Sequence, residues 1–161
     1  MGSHDYLFGL AELSTVLVGF AAVVMAVKSG GKDSVFATYT FRGVIERGLF
    51  TAMFSFLPAL LSTIPYAPGH EFRIASIGLV FYNLLALTRA LIWWRGIELS
   101  SRSISSSVFY SRFLISVLVM LMVLANVWFA YVWVYLIAVS WLFVNTCLLI
   151  LTYVNQSEGD V

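Results

Sequence analysis

The sequence predicts an all-α fold: a polytopic bundle of five transmembrane helices forming one membrane domain over residues 1–161. Three observations lead there. The stretch 113–157 is 45 consecutive residues without one Asp, Glu, Lys or Arg. Crossing about 30 Å of hydrocarbon at 1.5 Å per residue takes roughly 20 apolar residues, so this stretch is long enough to cross twice. Three further apolar blocks precede it. Finally, the chain is 61% hydrophobic and 11% charged, where a soluble domain has about 25% charged residues. A water-facing surface cannot be built from so few charges, but a lipid-facing surface needs none.

Segment one is expected over about residues 6–27, closed by the paired glycines Gly30 and Gly31 after Lys28. Segment two follows over about 44–66, with Pro58 inside it and Pro65 and Pro68 closing it. Pro58 removes one backbone donor, so a kink is expected, with a hydroxyl or a neighbouring helix satisfying the freed carbonyl. Segment three covers about 72–94, and the serine-rich stretch 95–107 reads as a polar cytoplasmic loop. The long uncharged block divides most naturally near Asn126, giving segment four over about 108–124 and segment five over about 129–154. If that division fails, four spans remain and one is very long. The tail 155–161 is polar.

Cationic residues set the expected orientation. Lys28, Lys32, Arg42 and Arg47 gather around the first connection, and Arg95, Arg102 and Arg112 around the third. The second connection offers only Arg73, and the N-terminus and the fourth connection offer none. The N-terminus is therefore expected outside and the first and third loops in the cytoplasm, in a bacterial inner (cell) membrane. Trp128, Tyr131, Trp133 and Tyr135 would form an outer aromatic belt, with Trp93 and Trp94 at the inner one. Residues 1–5 carry no Lys or Arg and no A-x-A pattern closes the first block, so a cleavable signal is not expected.

Ionisable side chains at membrane depth are expensive, and each is a candidate site. On segment one, Glu12, Thr15, Gly19, Ala22 and Ala26 share a helical face and are all small or polar. Small residues let helices approach closely, so this face, together with Pro58 in segment two, is expected to pack inside the bundle. Glu12 is then either tied down by hydrogen bonds or Arg73, or it is a proton or cation site. A second cluster holds Arg42, Glu46, Arg47 and Arg89. Arg42 and Glu46 are i,i+4 neighbours, and antiparallel segments two and three bring Glu46 and Arg89 to similar depth. A guanidinium is effectively never deprotonated, so Arg89 needs such a partner. The alternative to a structural ion pair is a gate or an anionic headgroup site. Asn83, Asn126 and Asn145 are expected to bond across helices, and Gly43 and Gly48 to allow close packing.

Several function classes are excluded or left without support. A formal net charge of +1 argues against a nucleic-acid partner. The single cysteine, Cys147, excludes an intrachain disulfide framework and a CxxC metal site. No HExxH, GxSxG, Walker or Rossmann pattern is present, and the two histidines fall at the N-terminus and in a loop, so no catalytic residue, metal or cofactor is expected. Only segment two is interrupted and five spans cannot split evenly, which argues against an inverted repeat. The expectation is a small, non-enzymatic, homo-oligomeric membrane protein that forms an ion or small-solute conduit. The alternative is a membrane anchor or scaffold docking onto other membrane subunits.

Overall fold

The structure, a computed structural model, describes residues 2–28, 35–64, 70–96 and 106–156. Five helices make up the described chain: α1 (Ser3–Lys28), α2 (Val35–Ser62), α3 (Glu71–Gly96), α4 (Ser106–Phe129) and α5 (Val132–Gln156). All five are long and apolar enough to cross a membrane. The protein is an all-α, five-span transmembrane bundle. Residues 97–105 of the serine-rich loop, the prolines Pro65 and Pro68, and residues 157–161 of the tail lie outside the described residues.

Helix ends depart from the hydropathy boundaries in a regular way. Helix α2 starts at Val35, nine residues before the expected 44, so Arg42 also lies within the helix. Hydropathy marks where hydrocarbon begins, whereas a helix continues for as long as its backbone bonds propagate favourably. The α4–α5 break falls at Ala130 and Tyr131, a turn beyond Asn126. Asn126 still makes that break. Its carbonyl accepts from Ala130 N at 2.8 Å and its Oδ1 accepts from Tyr131 N at 2.7 Å. Ala130 takes the left-handed conformation, φ 53°, that reverses the chain after the last turn.

Neighbours in the chain pack antiparallel, and contacts run α1–α2, α2–α3, α3–α4 and α4–α5, with α5 also touching α1, α2 and α3. The central helices are therefore α2 and α5. Helix α1 sits at the periphery against these two, not in the middle of the bundle as expected from its small residues. The close approach comes from the other side of the contact. A Cβ added at Gly48 of α2 would collide with the Val18 side chain of α1 and lie 3.7 Å from the Ser14 carbonyl.

The buried core includes Leu7, Leu10, Phe54, Phe72, Leu79, Tyr82, Val123, Tyr135, Val139 and Leu142. Buried hydroxyls answer to their own helices: Ser14 Oγ donates to Leu10 O, Ser55 Oγ to Thr51 O and Thr146 Oγ1 to Leu142 O. Helix α2 runs on through the buried Pro58. The carbonyl that proline leaves without its helical donor is that of Phe54, and the Tyr135 hydroxyl of α5 donates to it at 2.6 Å. Tyr135 is fully buried, so it is not part of an aromatic belt. Trp94 is also buried, stacked on Phe109 of α4 with ring centroids 4.0 Å apart. Trp128, Tyr131 and Trp133 are exposed.

Candidate functional site

The buried face of α1 consists of Leu7, Leu10, Ala11, Ser14 and Ala21. Glu12 lies on the opposite face, exposed on the outside of the protomer with Asp5, Thr15, Val16, Gly19 and Val23. Ala22 is half-buried at its edge, and the Ala26 side chain lies outside the described residues. The expected packing of Thr15 and Gly19 inside the bundle is therefore corrected: a Cβ at Gly19 meets nothing within 4 Å. The reason is physical. Lipid and protein interior are equally apolar, so small residues mark a face that can be approached closely, not one already covered by the same chain.

Glu12 is deep. The Phe8–Phe56 ring contact lies on one side of it, and the contact of Gly48 with Ser14 and Val18 on the other. Interpolating between them puts Glu12 level with Ala52, midway along the α2 span Arg42–Ser62. From Ser3 at the helix start it is nine residues, about 13 Å along the axis. Its carboxylate makes no hydrogen bond or ion pair among the described residues. Arg73, the partner anticipated for it, is engaged elsewhere. Arg73 Nε donates to Val127 O at 2.6 Å and Nη2 to Trp128 O at 2.9 Å. These are carbonyls at the C-terminus of α4, where a helix leaves its last acceptors unfilled and favours a cation.

The second cluster lies toward the opposite end of the bundle. Glu46 of α2 pairs with Arg89 of α3, Nη1 to Oε1 at 2.7 Å, rather than with Arg42 along its own helix. Arg42 is exposed. The pair is open to its surroundings, with the Arg89 side chain 63% exposed and Glu46 29%. Half-buried Arg47 stands next to Glu46 and is close enough to Tyr82 of α3 and Arg112 of α4 to act on both electrostatically. Tyr82 is buried and stacked on Phe50, ring centroids 4.2 Å apart. Its hydroxyl has no hydrogen-bond partner among the described residues. The sequence places Arg47 in this cluster and Arg112 near the third connection, without bringing Arg112 or Tyr82 to the pair. The only signal for them is register: antiparallel helices carrying charges equally far from one end must bring them to one depth.

The asparagines divide. Asn126 Nδ2 donates across to Ser76 Oγ of α3 at 3.1 Å, and Asn145 Nδ2 of α5 reaches Ser116 Oγ of α4 at 3.4 Å. Asn83 instead donates to Leu79 O in its own helix. Among the described residues no group of three or more His, Cys, Asp or Glu side chains is arranged to hold a metal.

The class defined so far is a five-helix integral membrane protein with one carboxylate at mid-span and an arginine-rich cluster near one end. No protein-family model, curated protein or solved structure matches the chain.

Proposed function

We propose that the chain is a homo-oligomeric cation conduit of a cell membrane, with the N-terminus outside and the arginine-rich end in the cytoplasm. One observation carries this reading: a carboxylate at mid-span, on the outward face of α1, with no partner among the described residues. An ionised side chain facing hydrocarbon at that depth costs at least about 2.5 kcal/mol. Copies that turn their α1 faces toward a common axis remove Glu12 from lipid, and Thr15 and Gly19 leave room for that approach. A ring of carboxylates around an aqueous axis selects cations. The Glu46–Arg89 pair then stands at the cytoplasmic side as a second charged layer of each subunit.

A second reading keeps the same face but gives it to another protein, making the chain an anchor subunit. Native mass spectrometry in mild detergent separates the two. Oligomers of the chain alone support the conduit, and exclusively monomeric protein favours the anchor. The functional test is flux of protons or potassium into liposomes. The expected result is protein-dependent flux that falls at least tenfold in Glu12→Gln while oligomer size and helix content hold. Unchanged flux and unchanged pH dependence in that variant would overturn the role of Glu12.

A further inference from the structure

We propose that Thr15 joins Glu12 in coordinating an alkali metal cation, so that the conducted ion is potassium or sodium and not a proton. This assignment rests on the conduit reading and names the ion that passes the mid-span carboxylates.

Thr15 lies one turn beyond Glu12 toward the C-terminal end of α1, on the same outward face, and both are exposed. Residues three apart on a helix are neighbours, with Cβ atoms about 5–6 Å apart. The hydrogen of the Thr15 hydroxyl is already committed, because Oγ1 donates to Ala11 O at 2.9 Å. What Oγ1 keeps for a ligand is therefore lone pairs. A third oxygen comes from the backbone. A helical carbonyl is screened by the side chain four residues on, and for Thr15 O that residue is Gly19, which has none. A Cβ added at Gly19 meets nothing within 4 Å, so the backbone there is open to close approach. Within about one turn, each copy thus presents a carboxylate, a hydroxyl oxygen and a carbonyl oxygen, all of them acceptors.

No donor competes with them. Between Asp5 and Val24 the chain has no Lys, Arg, His, Asn, Gln or Trp. Ser14 is buried with its hydrogen on Leu10 O, and the Tyr6 hydroxyl is bonded to Ser140 Oγ at 2.8 Å. An oxygen-only acceptor set takes hard cations. A proton needs Glu12 alone, whereas a metal ion shedding part of its water needs several oxygens together, and Thr15 supplies them. Conduction also requires that the ion can leave. Several carboxylates at one level hold a divalent ion too tightly for that, so the ion that passes is singly charged.

The test is flux of potassium, sodium, calcium and protons into liposomes carrying wild type, Thr15→Val, Thr15→Ser or Glu12→Gln, with oligomer size followed by native mass spectrometry. Potassium or sodium flux should fall at least tenfold in Thr15→Val, which keeps the shape and deletes the oxygen. Thr15→Ser, which keeps the oxygen, should restore most of it, with oligomer size and helix content unchanged in both. Wild-type flux in Thr15→Val beside lost flux in Glu12→Gln would overturn the Thr15 site and leave the conduit standing. Wild-type flux confined to protons, or to calcium with potassium excluded, would overturn the alkali-cation assignment alone. Wild-type oligomers that pass no ion would overturn the conduit reading and this assignment with it. Should Thr15→Val lose the oligomer, the smaller Thr15→Ala decides, and undiminished potassium flux there counts against the site.

Discussion

Tyr135 and Tyr82 show how differently two buried tyrosines of one bundle can be used. Tyr135 supplies the donor that Pro58 withholds from Phe54 O, so its hydroxyl is a structural part of α2 as much as of α5. Tyr135→Phe leaves that carbonyl without its partner from α5 and should cost about 1–2 kcal/mol. Reversible unfolding in mixed micelles would measure it, and an unchanged midpoint would show that Phe54 O finds another donor. Tyr82 has no such partner, so Tyr82→Phe should leave the delipidated protein as stable as wild type or slightly more so. A loss comparable to that of Tyr135→Phe would reveal a bond that the structure does not contain. Pro58 was legible as an element that needs rescue, because the missing N–H follows from residue type alone. Which hydroxyl performs the rescue was not, since Phe54 and Tyr135 are far apart in sequence.

At the scale of helices, two contacts decide the architecture. The α1–α2 crossing depends on Gly48, whose missing side chain admits Val18. Gly48→Leu should push α1 away from α2 and lower stability by more than 2 kcal/mol, as overpacking at a helix crossing does. Gly19→Leu, facing open space, should leave the fold intact. The α4–α5 turn depends on Asn126, Arg73 and Ala130. A non-glycine residue in the left-handed region is strained by about 1 kcal/mol, so Ala130→Gly should stabilise the turn by up to that amount. Asn126→Ala should destabilise more than Asn83→Ala, because Asn126 holds both Tyr131 N and Ser76 whereas Asn83 serves only its own helix. Equal effects would mean that the turn is held by Arg73 alone. The existence of this break could be read from an asparagine in an uncharged run. Its position one turn later could not, because the Arg73 contacts that support the last α4 carbonyls come from 54 and 55 residues away along the chain.

For the molecule as a whole, the proposed assembly and orientation are open to direct measurement. In a Cys147→Ser background, single cysteines at Ser3 and Ser107 should label from opposite sides of the membrane, position 3 from outside. Labelling of position 107 from outside would reverse the orientation. Gly19→Leu should convert the oligomer to monomers with helix content unchanged, and persistence of the oligomer would move the interface off the α1 face.

The sequence by itself determined the fold class and the number of helices. These follow from local quantities: hydrocarbon thickness, rise per residue and the cost of charge in lipid. Tertiary structure alone decided which way each helix faces. In water the apolar side of a helix identifies its buried side, but in a bilayer the lipid is as apolar as the core, and that signal vanishes. Glu12 was therefore expected to face into the bundle, and it faces outward. Glu46 and Arg89 were expected at similar depth, yet their pairing depended on the rotation of two helices about their own axes. Those rotations are set by Gly48 against Val18, by Phe50 against Tyr82 and by Tyr135 on Phe54 O, contacts between residues that no stretch of chain connects.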